Sequence, residues 1–208
     1  MKLISFEGID ASGKETQAKM LNEYMNIHGY KTTLVSFPRI NLPIGKLIDD
    51  MLKNVMSVDI KALHMLYEVD RMDFRNTVKH LGEQKYDFLI LDRYTHSNIA
   101  YGMANNIDYD WLKNLQRYIR EPDITFLLNI SVEESVKRRS ERQDIFEKDL
   151  DFLKRVTVAY TLLAEKDSNI ISIQAGGLTS KQLHTVILYY LQQKEFIKKA
   201  NNQDDYKA

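Results

Sequence analysis

The chain has 208 residues, 44% of them hydrophobic, enough to bury one sizeable core and short for two, so one compact domain is expected. Lys plus Arg number 29 and Asp plus Glu number 29, so the formal net charge is zero and no global basic field points to nucleic acid or a membrane surface. Cysteine is absent, which excludes disulfide frameworks and thiolate metal sites and fits a cytoplasmic protein; no signal-peptide core and no apolar run of membrane-spanning length is present.

Leu3 to Phe6 is a short apolar run stopped by Glu7-Gly8, the pattern of a buried strand. A helix should follow from Lys14, where Gln17, Met20, Leu21, Tyr24 and Met25 recur at helical spacing before Gly29. Thr32 to Phe37 is rich in β-branched and apolar residues and is cut by Pro38, as a second strand would be. Pro43 opens a helix, and another is expected from Asp59 to His80. Asp87 to Leu91, Asp123 to Ile130 and Asn169 to Ile173 read as three more buried strands. Helical patterns run from Ser97 to Ala104, Asp110 to Tyr118, Val132 to Arg142, Phe146 to Lys166 and Ser180 to Phe196. Apolar strands alternating with helices predict an α/β fold whose parallel sheet of five strands is covered on both faces. The domain is expected to span residues 1–197, and the polar stretch 198–208 to fray.

Gly8-Ile-Asp-Ala-Ser-Gly13-Lys14 fits G-x-x-x-x-G-K and lies between a predicted strand and a predicted helix, the setting a phosphate-binding loop requires. Glycines let successive backbone N–H groups converge on phosphate oxygens, and the helix N-terminus adds positive dipole. Lys14 would reach the β- and γ-phosphates of a bound ATP. The motif usually ends in Lys-Ser or Lys-Thr, whose hydroxyl holds Mg²⁺, whereas here Glu15 precedes Thr16. Either Glu15 points elsewhere, or its carboxylate approaches the metal directly.

At the end of the third strand stand Asp92, Arg93 and Tyr94, where ligands bind in open α/β sheets. An acid there can serve a metal, and an arginine can clamp a phosphate. Together with Phe6 to Gln17, Phe37-Pro38-Arg39, Asp92 to Tyr101, Pro122-Asp123 and Asp144 to Glu147, these residues resemble the thymidylate kinase family from about residue 3 to residue 190. The resemblance implies a P-loop fold, transfer of phosphate from ATP to dTMP, Mg²⁺ as cofactor and a homodimer.

Carried over by position, the resemblance puts ATP on Gly8, Ala11, Ser12, Gly13, Lys14, Glu15 and Thr16, and on Arg138. Asp10 would contact the sugar and phosphate end of the acceptor, Arg93 its 5′-phosphate, and Phe37 and Arg39 would approach it from their loop. Tyr67 matches the aromatic that stacks on thymine and Arg71 the arginine on the base edge, and their i, i+4 spacing puts both on one helix face. Ser97 and Asn98 match small polar residues beside the base, and Tyr101 the ring that crowds the sugar 2′ position. Asp92, with Glu15 or Thr16, would serve Mg²⁺. A mobile lid is expected around residues 138–147, with Arg142 ahead of Arg138 and Arg139 as its catalytic arginine. Gln174 and Ala175 begin a loop that matches the adenine contact.

The chain departs from the family where Ile145 follows Asp144, where Ala11 follows Asp10, and where Gln174 replaces an aspartate. Two other readings stay open: a kinase for dUMP or a modified pyrimidine monophosphate, and a nucleotide-binding module without catalysis. Trp111, Tyr109 and Tyr118 fall at helical spacing and read as packing residues.

Overall fold

A computed structural model describes residues 1–138 and 149–198. Arg139, Arg142 and the stretch Asp144 to Glu147 lie outside these residues, as does all of the tail but Lys198. In chain order the strands are β1 (Lys2–Glu7), β2 (Thr32–Ser36), β3 (Phe88–Asp92), β4 (Ile124–Asn129) and β5 (Ile170–Gln174). Between and after them run α1 (Lys14–Ile27), α2 (Pro43–Leu52), α3 (Ile60–Asp73), α4 (Arg75–Glu83), α5 (Thr95–Ala104), α6 (Tyr109–Leu115), α7 (Val132–Arg138), α8 (Leu150–Lys166) and α9 (Ser180–Gln193).

The strands form one parallel sheet in the order β2-β3-β1-β4-β5. Side chains alternate across it with the period of two that a strand imposes. Ile4, Phe6 and Ile90 enter the larger core with Leu21, Met25, Phe126 and Leu128. Leu3, Leu89 and Leu91 face the other way, into a smaller core with Phe37, Phe74 and Tyr94. Burial on both faces of β1, β3 and β4 accounts for their apolar runs. Register pairs Phe6 with Asp92 and Glu7 with Leu127, so β1, β3 and β4 end together at one rim. The chain returns to opposite sides of β1, and the crevice this opens beyond the strand ends is where such sheets bind ligands.

Three expected helices differ from those observed, one of them, Ser180 to Phe196, only in ending at Gln193. The single helix from Asp59 to His80 divides into α3 and α4 at Phe74, which is buried edge-on against Phe37 with ring centroids 5.4 Å apart. Arg39 donates to the Asp70 carbonyl at 2.7 Å, the carbonyl that also accepts from Phe74 at a long 3.3 Å. A side chain inserted into the helical ladder in this way bends a helix. The helix expected from Asp110 to Tyr118 ends at Leu115, and Tyr118 is exposed rather than packed.

Candidate active site

The loop between β1 and α1 is shaped by its glycines. Gly8 has φ +138° and a Cβ there would stand 2.5 Å from the Leu128 carbonyl oxygen, so no other residue fits against β4. Gly13 at φ +96° then turns the chain into α1. The Lys14 ammonium is buried and donates to the Ile9 carbonyl at 2.7 Å and toward Ser12 Oγ at 3.5 Å, closing the loop on itself. Burial, with Arg93 nearby, lowers its pKa to about 8, while Asp10, Asp92 and Glu7 act in the opposite direction. This loop offers convergent backbone N–H groups and one cation.

The second half of the site is the turn from β3 into α5. Arg93 holds φ +61°, a conformation rare for a residue with a side chain, and its N–H donates to the Phe6 carbonyl at 3.0 Å. Glu7 fixes this turn: fully buried, it accepts from Tyr94 N at 2.8 Å, Ser97 Oγ at 2.5 Å and the Tyr160 hydroxyl at 3.0 Å. The Arg93 guanidinium is thereby aimed back at the loop, where it pairs with Asp10 and donates to the Gly8 carbonyl at 3.2 Å. Tyr101 closes the group, its hydroxyl 3.3 Å from Asp10 Oδ2 and its ring under Arg93 at 5.6 Å. Asp92, at the end of β3, has one buried carboxylate oxygen without a partner among the described residues. Burial pushes its pKa up, against Lys14 and Arg93, which favour the charged form.

A cleft open to solvent runs from Asp10 and Arg93 to Tyr67 and Arg71. Phe37, Ser97, Asn98 and Tyr101 line it as well, so eight of the nine residues expected to bind the acceptor meet around one space. Leu52 and Pro38 complete the lining, Pro38 following a cis peptide bond. Arg71 is buried; it donates to the Tyr94 carbonyl at 2.6 Å and the Tyr67 carbonyl at 3.1 Å, and its Nε has no partner among the described residues.

The remaining expected residues are placed differently. Arg39, the ninth, does not line the cleft: it pairs with Asp70 at 2.8 Å and Asp73 at 2.7 Å. Glu15 pairs with Lys19 at 2.5 Å on the exposed side of α1, and Thr16 is exposed on the same helix. Arg138 pairs with Glu134 and donates to the Ala11 carbonyl at 3.4 Å, which ties α7 to the phosphate loop. Glu134 also accepts from Gly177 N at 3.3 Å, so the loop that starts at Gln174 and Ala175 joins the same corner. Glu7 was missed as a site residue, although an acid closing an otherwise apolar strand is a signal. His64, Glu68 and Gln116, buried behind the cleft, were missed too.

A phosphate-binding loop at one end of a cleft, and a buried arginine with a tyrosine at the other, define a P-loop phosphotransferase whose second substrate carries both a phosphate and a flat polar group. The sequence model of the thymidylate kinase family matches residues 6–187. The "Probable thymidylate kinase" of Methanocaldococcus jannaschii is 37% identical over 188 residues, 90% of this chain and 94% of that one. Thymidylate kinase of Dictyostelium discoideum is 34% identical over 76% of this chain and 70% of its own. Among solved structures, thymidylate kinase of Candida albicans, an enzyme described as broad in substrate specificity, superposes with a TM-score of 0.85 at 30% identity, covering 96% of each chain. The chain belongs to the thymidylate kinase family.

Proposed function

We propose that this chain transfers the γ-phosphoryl group of ATP to dTMP, giving dTDP and ADP. The observation that carries this reading is the shared boundary of the two sites: Asp10 belongs to the phosphate loop and also lines the cleft, and Arg93 binds both. A donor in the loop and an acceptor in the cleft would therefore meet at these two residues.

An oxygen of the acceptor's monophosphate attacks the γ-phosphorus, and the bond from that phosphorus to the bridging oxygen of ADP breaks. The acceptor oxygen is already ionised at neutral pH, so no general base is needed. Positioning and charge neutralisation supply the catalysis. Lys14 exchanges the Ile9 carbonyl for donor phosphate oxygens, and Arg93 exchanges Gly8 and Asp10 for the acceptor phosphate. Tyr67 stacks on the base, Arg71 bonds its edge, and Tyr101 disfavours a ribose 2′-hydroxyl. The Asp92 oxygen without a partner among the described residues and the exposed Glu15 and Thr16 suit a hard cation, which usually takes one or two carboxylates beside substrate phosphates. Mg²⁺, when bound there, would supply further charge neutralisation on the phosphate chain. Arg142 is our candidate for the lid arginine, by resemblance to the family.

The test is ADP release with ATP, Mg²⁺ and a panel of monophosphates, with Lys14→Ala as control. Turnover of dTMP well above the control is expected, and a preference for a purine monophosphate would overturn the roles of Tyr67 and Arg71. We also propose that the protein is cytoplasmic and pairs as a homodimer. Among the described residues no helix is long and apolar enough to cross a membrane. Met65 and Val69, exposed one turn apart on α3, offer apolar surface for pairing. A monomer mass by light scattering at micromolar concentration would refute the dimer.

A further inference from the structure

Behind the base end of the cleft lies a polar cluster of which only Arg71 has a part in the chemistry above. His64, Glu68 and Arg71 follow one another at spacings of four and three residues along the inner face of α3, and all are buried. A helix face turned toward a core normally carries apolar residues, so this exception asks for a reason. Its centre is one oxygen. Glu68 Oε1 accepts from Asn98 Nδ2 at 2.7 Å, Gln116 Nε2 at 3.1 Å and Arg71 Nη1 at 3.2 Å. Two of these three donors, Asn98 and Arg71, belong to residues that line the cleft.

The cluster also fixes the polarity of Asn98. Its amide nitrogen spends one hydrogen on Glu68 and the other on the His64 carbonyl at 3.1 Å, so it has no donor left. A flipped amide would press its oxygen against that carbonyl and the carboxylate, which excludes the opposite orientation. Asn98 Oδ1 then faces His64 Nδ1 at 2.5 Å, and His64 Nε2 faces Asn105 Nδ2 at 3.4 Å. The consistent assignment is a neutral imidazole protonated on Nδ1, in keeping with burial lowering the His64 pKa to about 4. What Asn98 retains is a single lone pair on Oδ1, while Arg71 has only donors.

We propose that Glu68 is a positioning residue for base selection, acting through Asn98 and Arg71, and rests on a pyrimidine monophosphate as acceptor. One acceptor beside fixed donors complements the imide edge of thymine or uracil, whose N3–H donates and whose O4 accepts. Cytosine presents the inverse pattern, an acceptor at N3 and an amino donor at C4, and meets like against like on both contacts. A site whose polar groups cannot turn to suit the wrong base rejects it more strongly than one whose groups rotate freely. Glu68 supplies that rigidity without touching the substrate.

The experiment compares Glu68→Gln, Glu68→Asp and Glu68→Ala with wild type in steady-state kinetics on dTMP, dUMP and dCMP, with circular dichroism and Tm recorded for each. Wild-type rates test the acceptor reading by themselves, before any variant is made. Glutamine keeps an acceptor at the same reach and should stay within about threefold of wild type on every parameter. Aspartate withdraws the acceptor and alanine removes it; both should raise KM for dTMP by about 10- to 100-fold, with KM for ATP unchanged. In both, the dTMP to dCMP ratio of kcat/KM should fall by about tenfold or more. Folded aspartate and alanine variants that keep the wild-type ratio, with only Tm lowered, would overturn the proposal. So would a glutamine variant as damaged as alanine, because charge rather than the acceptor would then be at work. If alanine does not fold, aspartate carries the test, and failure of both to fold reduces Glu68 to a stabilising residue and also overturns it.

Discussion

The two ends of the cleft are built on opposite terms. At the phosphate end the side chains are charged and satisfied by partners that a ligand can replace: Lys14 by a carbonyl of its own loop, Arg93 by Asp10 and the Gly8 carbonyl. At the base end the polar groups are buried and held by one another, Asn98 between His64 and Glu68, Arg71 on the Tyr94 and Tyr67 carbonyls. The difference suits what each end is proposed to bind. A phosphate is recognised by charge that moves onto it, so its ligands are held by exchangeable contacts. A base is recognised by the direction of donors and acceptors, so its ligands must not turn.

Substitutions at the two ends should accordingly fail in different ways. The largest effect is expected for Arg93→Ala, which should lower kcat by about 10³-fold or more, measured by ADP release at saturating ATP and dTMP. Arg71→Ala should act mainly on KM for dTMP, raising it by about 10- to 100-fold with a smaller change in kcat. Equal losses of kcat in the two variants would erase the distinction.

The charge at the phosphate end should also be visible in proton uptake. Lys14 loses its proton near pH 8 in the ligand-free protein, and phosphate charge beside it favours the ammonium form. ATP binding should therefore take up a proton at pH 8 to 9 and weaken as pH rises through this range, by up to about tenfold per pH unit. Calorimetry in two buffers of different ionisation enthalpy measures that uptake, and Lys14→Met should abolish it.

The smallest expected effect concerns stability. Burial lowers the pKa values of His64 and His184 to about 4, from an ordinary value of 6.5. The unfolded chain takes up these protons as pH falls through 6.5 and the folded chain resists until about 4, so the stability they contribute is complete above 6.5 and is lost across that window. Asp92 and Glu68, raised by burial, partly offset the loss. Tm should drop by roughly 5 °C between pH 7 and pH 4.5, and His184→Gln should flatten the slope.

The sheet and its loop were legible in the sequence because each rests on a local pattern. Leu3 to Phe6 followed by two spaced glycines and Lys14 states strand, turn and helix within a dozen residues. Phe74 was not legible as a break in a helix, since the cause is Arg39, 35 residues earlier in the chain, capturing the Asp70 carbonyl. Arg39 itself was expected at the substrate, and its binding to Asp70 and Asp73 comes from the same distant pairing. Resemblance to a family led to the residues that line the cleft, such as Tyr67, Arg71 and Asn98. It gave no sign of Glu68, His64 or Gln116, which support those residues from behind and whose partners are set only by the packing of α3 on α5 and on the end of α6.

The backbone of Arg93 carries one more implication. The residue that delivers the guanidinium is also the hinge pin between strand and helix, in a left-handed conformation that costs about 1 to 3 kcal/mol for most side chains. Shape and chemistry are thus vested in a single position. The charge cannot be moved to a neighbouring residue without re-routing the chain, and a glycine, the residue that would suit the bend best, would take the charge away.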